Sequence, residues 1–238
     1  MSQQHTTAGF QTTQWSVVVA AAGDARLLEP LLASYWGPIY AFIRRSGRSR
    51  EQAADLAQQF VAEVVLERGL LEKACPERGR FRTFLKAALR NFLVDQHRRS
   101  VAKGRSPSLP VGGSAALDRL EPAEDGDPGD AFDRQWATTL LSITLERLAS
   151  ECAAAGQAPH WDAFRAAVID PALGHDRAPA MEALAERLGV DSPTKVSSMI
   201  QTVRRKFRRT LRQVVEETTA DAAAADDEIA SLRRFLGA

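Results

Sequence analysis

The stretch Phe81-Arg82-Thr83-Phe84-Leu85-Lys86-Ala87-Ala88-Leu89-Arg90-Asn91-Phe92-Leu93 decides the fold class. Its apolar residues Phe81, Phe84, Leu85, Ala88, Leu89, Phe92 and Leu93 step 3, 1, 3, 1, 3, 1 along the chain. That spacing draws one apolar stripe along a helix of about 3.6 residues per turn. A strand would need alternation at every second residue. Arg82, Lys86, Arg90, Asn91, His97, Arg98 and Arg99 fall outside the stripe, so this helix is expected to bury one side and present cations on the other.

The same period extends outward in both directions. Toward the N-terminus lies a loop, Leu70 to Arg80, with Pro76 and Gly79. Before it, a helix from about Arg50 to Arg68 turns Ala53, Ala57, Phe60, Val61, Val64 and Val65 inward. Ser49 is placed to cap its start and Gly69 to end it in a left-handed conformation. Earlier still, Leu27, Leu28, Leu31, Leu32, Tyr35, Trp36, Ile39, Tyr40 and Ile43 form a first helical face that Gly47 stops.

Toward the C-terminus, periodicity vanishes from Lys103 to Asp130, where Gly and Pro accumulate and acids crowd in from Asp118. This composition marks a flexible linker. Helical patterning resumes at about Ala131, passes Leu148, and returns from His160 to Ile169. A short helix, Met181 to Leu188, then ends at Gly189, and the turn Val190-Asp191-Ser192-Pro193 opens a long one. Nothing reads as a strand. The expected fold is all-α, with two helical domains at 1–102 and 131–217, a linker at 103–130 and a tail helix at 218–238.

With 238 residues, 45% hydrophobic and 26% charged, the chain suits one large or two small globular domains and argues against disorder, collagen or membrane spans. The apolar run Trp15 to Ala22 is too short to cross a bilayer, and no Lys or Arg precedes it. A cytoplasmic protein without a membrane partner is expected. Cys75 and Cys152 have no neighbour at metal-binding spacing, and His5, His97, His160 and His175 are scattered. No H-E-x-x-H, glycine-rich phosphate loop or nucleophile elbow occurs. Glu63 and Glu67 share a helix face, with Asp55 two turns earlier, a pattern more typical of a solvated helix surface than of a metal site. The expectation is therefore no enzyme: no catalytic residue, no cofactor and no metal.

The net charge of +1 conceals segregation. Residues 1 to 105 carry 16 basic and 9 acidic groups, whereas residues 106 to 133 carry 1 and 7; residues 176 to 217 return to 9 and 6. Two basic blocks thus flank an acidic one, and local field governs encounter with a polyanion more than total charge does.

The two helices joined through Gly189 form a helix-turn-helix candidate. In the second, Val196, Met199, Ile200, Val203, Phe207, Leu211 and Val214 face inward. Lys195, Ser197, Ser198, Gln201, Thr202, Arg204, Arg205 and Arg208 remain for DNA, with Lys206, Arg209 and Arg212 alongside. Such a helix presents its N-terminal residues to base edges in the major groove, and cations further along meet phosphates. Small polar residues first and arginines later follow that order.

Taken together, the two halves resemble the extracytoplasmic-function sigma factors of bacterial RNA polymerase, in a divergent branch. Gln52-Ala53-Ala54-Asp55-Leu56-Ala57-Gln58-Gln59-Phe60 is similar to the family's D-A-E-D-L-V-Q-E-x-F signature. Gly79 to Arg99 resembles F-x-x-W-L followed by R-N-x-x-x-D-x-x-R-R, with Phe84 standing where the family has Trp. The helix-turn-helix stands at the family's C-terminal position, with a turn one residue longer. Thr12 to Val18, the Pro76 to Arg82 loop and Gln135-Trp136-Ala137 also look like that branch.

The resemblance implies a region-two-like helical bundle, a region-four-like helix-turn-helix domain, and the partners core RNA polymerase and promoter DNA, both double-stranded and melted. It implies polymerase docking through Asp55, Gln58 and Gln59. It implies downstream promoter contacts through Arg80, Arg82, Arg90, Asn91, Arg98 and Arg99, with a flipped base captured by the loop at roughly Leu71 to Arg80. The acids Asp118, Glu121, Glu124, Asp125, Asp127 and Asp130 would thread a polymerase channel as a phosphate mimic, and an anti-sigma regulator is a further candidate partner.

Plainer roles stay open. Arg98 and Arg99 would also complement a helix dipole, and Asp95 would pair with one of them. The tail, with Asp226-Asp227-Glu228 ahead of Ile229, Leu232, Phe235 and Leu236, would dock on the C-terminal domain by default, cover its DNA face, or bind a regulator. A helix-turn-helix regulator that never docks on polymerase is the leading alternative function, and a helical adaptor that sequesters another factor is a more distant one.

Overall fold

Helix ends in this chain are written in its caps. In the computed structural model, which describes residues 18, 21, 23–74, 80–102, 126–175, 177–217 and 222–236, the described residues form eight helices and no strand. Side chains at 25, 222–224 and 233–236 are not described. The opening around Trp15, Cys75 to Gly79 of the expected base-capturing loop, and residues 103–125 of the expected linker lie outside the described residues, as do Asp118, Glu121, Glu124 and Asp125. No described helix is long and apolar enough to cross a membrane.

Helix α1 (Ala25–Arg45) starts at Asp24, whose carboxylate accepts the Arg26 N–H at 2.9 Å. It ends at Gly47, which turns with φ of +82°. Helix α2 (Arg50–Gln59) opens on a reciprocal capping box between Ser49 and Gln52. The chain winds on as a π-helix over Phe60–Glu67 and stops at Gly69, with φ of +58°. Helix α3 (Phe81–Ala102) carries the deciding stripe, burying Phe81, Leu85, Leu89 and Phe92. Helix α4 (Pro128–Ala154) follows, then α5 (Ala158–Phe164), which continues through a π-helical turn at Arg165–Ile169. Helices α6 (Met181–Leu188), α7 (Pro193–Glu216) and α8 (Ala222–Leu236) complete the order.

The chain divides into two compact units, residues 1–139 with 215–238, and residues 140–214. The first is packed on aromatic contacts from distant parts of the sequence. Tyr35 of α1 stacks on Trp136 of α4 at 4.8 Å and meets Phe81 edge-on at 5.2 Å, while Phe60 meets Phe92 edge-on at 5.5 Å. The second unit buries Leu148, Cys152, Phe164, Leu184, Val196, Ile200 and Val203 in one cluster. Desolvation there raises the Cys152 thiol above its ordinary pKa.

Two expectations need amendment. The second helical block was expected to begin at 131 and to receive the tail. Instead Phe132, Trp136 and α8 belong to the first unit. The reason is local: the first turns of α4 place two large aromatics on Tyr35, and α8 finds its charge partners on α3.

Candidate nucleic-acid interface

Of the three α2 residues expected to dock on polymerase, Asp55 and Gln58 are exposed and Gln59 is half-buried. Gln59 donates its amide N–H to Glu63 in the π-helical stretch, where the chain closes five-residue bonds such as Arg68 N–H to the Glu63 carbonyl at 3.1 Å. The Glu63 carboxylate also accepts from Arg99 at 3.2 Å and lies 3.6 Å from Arg68. The Gln59 hydrogen bond, then the bond and charge of Arg99 and the charge of Arg68, hold Glu63 below the usual carboxylate range. A residue expected to face polymerase and one expected to face DNA thus share one acid, which gathers the end of α3 to α2.

On α3, Arg90, Asn91, Arg98 and Arg99 are exposed. The Arg90 guanidinium lies 5.9 Å from the Phe42 ring centroid, a cation–π contact that steadies the group at the surface. Arg80 and Arg82 are placed differently. Arg82 was expected on the solvent side of the stripe and is 8% exposed. It donates to Asp133 at 3.2 Å and to Glu228 at 2.7 Å. Arg80 lies 3.0 Å from Glu228 and 3.7 Å from Asp227. Lys86, also expected outside, gives both Asp133 oxygens bonds of 2.9 and 2.8 Å and sits over the Phe132 ring. The first turns of α3 therefore have a second buried side, made by α4 and α8, which no local pattern reveals.

In the second unit the turn between α6 and α7 is built as its caps require. Gly189 adopts φ of +63°, its N–H reaches the Glu186 carbonyl at 3.1 Å, and the Val190 N–H reaches the Ala185 carbonyl at 2.9 Å. This double bond pattern closes a helix on a left-handed residue. Ser192 then accepts the Lys195 N–H on its hydroxyl at 3.3 Å, starting α7.

Val196, Met199, Ile200, Val203 and Val214 are buried as expected. Lys195, Ser197, Ser198, Gln201, Arg204, Arg205 and Arg208 are exposed and Thr202 is half-buried. Ser198, Gln201, Arg205 and Arg208 step 3, 4 and 3 along one stripe. Ser197 and Thr202 donate to carbonyls four residues back at 3.1 and 3.0 Å, and the Thr202 oxygen accepts from Arg205 at 3.4 Å. Lys195 pairs with Asp191 at 3.1 Å, a contact exposed enough to exchange readily. Lys206 and Arg209 instead tie α7 to Gln157 and Glu151.

Sequence reading missed Asp133, Glu228 and the Glu63 hub. For Glu228 a signal existed: Ala225, Glu228 and Leu232 share the stripe that Ile229 and Leu236 define, so an acid sits at its edge. Among the described residues no cluster of metal-ligating side chains occurs. Comparison with protein-family models, with curated proteins and with solved structures finds no match to the chain.

Proposed function

We propose that this chain is a promoter-specificity subunit of bacterial RNA polymerase: it docks on the core enzyme, recognises promoter DNA through basic surfaces in both of its compact units, and directs initiation. The observation that carries this reading is the α6–Gly189–α7 helix-turn-helix with an exposed polar-then-cationic stripe, in one chain with a second cationic helix end at Arg90 to Arg99. Each basic surface alone suits many functions, and a promoter has two elements to be read.

The division of tasks follows from chemistry. Ser197, Ser198, Gln201 and Thr202 offer donors and acceptors to base edges, and Arg204, Arg205 and Arg208 offer phosphate contacts. Arg90, Arg98 and Arg99 would neutralise the backbone near the downstream element, with Asn91 at its bases or backbone. Asp55 and Gln58, exposed on a helix with no cation beside them in their own turn, suit a basic partner surface. Extruding a base from a melted strand costs a few kcal/mol, which such backbone contacts offset; the polymerase supplies the chemistry.

The test is retention of the chain on immobilised core polymerase, wild type against Asp55→Ala/Gln58→Ala. Wild-type retention and a tenfold or greater loss in the double variant are expected. Sequence-selective DNA binding with no polymerase retention in either form would instead establish a helix-turn-helix regulator acting alone.

A further inference from the structure

The start of α3 runs against the electrostatics of helix ends. The positive end of a helix dipole favours acids and disfavours cations. Yet α3 has Arg80 immediately before it, Arg82 in its first turn, Lys86 a turn later, and no acid in that first turn. Three cations at such an end call for anions, and the fold brings them from two distant elements. Asp133 of α4 satisfies Lys86 and one arm of Arg82. Glu228 of α8 takes the other arm of Arg82 and also Arg80.

Glu228 is 2% exposed. It sits on the buried side of α8 between Ala225 and Leu232, both buried. An acid in the middle of a helix's packing face is costly unless it is paired, so α8 is shaped to dock where two guanidinium groups await it. Without α8, Arg82 and Lys86 keep Asp133, and Arg80 loses both of its described acid contacts. A guanidinium pair that grips one carboxylate offers the same forked donors to a phosphate oxygen.

We infer that Arg80 and Arg82 form a phosphate-backbone site for a nucleic-acid strand, and that α8 occupies it in cis through Glu228. Tail docking and strand binding at this site then exclude one another. The inference rests on the promoter-binding reading for the identity of the anion. Because the tail is tethered, its effective concentration is on the order of millimolar. It therefore suppresses casual contact with nucleic acid and yields to a strand presented at high local concentration.

The experiment is fluorescence anisotropy of a labelled twenty-nucleotide oligo(dT) strand across a salt series, without polymerase. It compares the wild-type chain, a chain ending at Glu217, and Glu228→Gln. Both altered chains are expected to bind about tenfold more tightly at 0.1 M salt, with a log–log salt slope steeper by about 1.4, or roughly 0.7 for each of two phosphates gained. Adding Arg80→Ala/Arg82→Ala to the shortened chain should abolish the gain.

Hydrogen exchange on the wild-type chain keeps the question answerable if a variant misfolds: saturating oligonucleotide should expose the amides of 222–236. Unchanged affinity in folded variants, or unchanged α8 protection at saturation, overturns the inference. A tail-dependent gain with no polymerase retention would leave it standing while the promoter-subunit reading fails. Promoter-directed initiation with no tail dependence of strand binding would do the reverse.

Discussion

Removing the Asp133 carboxylate should unfold the first unit far more readily than its single position on the chain suggests. Asp133 accepts from Arg82 at 3.2 Å and from Lys86 at 2.8 and 2.9 Å. The side chains concerned are 14%, 10% and 16% exposed for Asp133, Arg82 and Lys86. In Asp133→Ala, Arg82 keeps Glu228, but Lys86 loses the carboxylate that neutralises it over the Phe132 ring.

Breaking a fully buried pair from one side costs about 3–5 kcal/mol; partial solvent access at this site brings the figure to about 2–4 kcal/mol. With a urea m-value of about 2 kcal/mol per M, the midpoint should fall by about 1–2 M. Trp136, stacked on Tyr35, reports this unit by fluorescence in a Trp161→Phe background. Glu29→Ala, an exposed acid of the same unit, should change stability by no more than about 0.5 kcal/mol. If the two variants unfold at the same urea concentration, the buried ion network does not hold α3, α4 and α8 together.

Three further outcomes are expected. Gly189→Ala should destabilise the second unit by about 1 kcal/mol, read as a lower thermal midpoint, because φ is +63° and nothing lies within 4 Å of an added Cβ, so the cost is backbone strain alone. Glu63 has a folded-state pKa below its unfolded value, so its stabilising contribution is complete above the ordinary carboxylate range and disappears as pH falls through the folded-state value. Glu63→Gln should therefore flatten the acid limb of a stability–pH profile, and an unaltered limb would exclude the Gln59–Glu63–Arg99 cluster as its source. Replacing Arg204, Arg205 and Arg208 together with Ala should weaken duplex DNA binding and reduce its log–log salt slope by about 2.7, at about 0.9 per phosphate lost.

Local physics made much of this chain readable. Caps at Ser49, Gly47, Gly69 and Gly189, and the stripe of α3, are decided within a few residues, so the period and the special φ values mark them directly. The two helices α6 and α7 and the turn between them were legible for the same reason: the turn needs a left-handed residue and the helices need apolar spacing. The burial of Arg82 was not legible, because Asp133 lies 51 residues and Glu228 146 residues away. A cation on the polar side of a helix looks solvated until a distant acid covers it. The Phe60–Glu67 π-helix was equally hidden, since its apolar spacing reads as an ordinary α-helical face.

A promoter-specificity subunit would select where core polymerase starts. Run-off transcription with core enzyme on fragmented genomic DNA, with and without the chain and with 5′-end mapping, tests it directly. New, discrete start sites that share upstream sequence and disappear with the Asp55→Ala/Gln58→Ala variant are expected; a start-site distribution identical with and without the chain would contradict the proposed function.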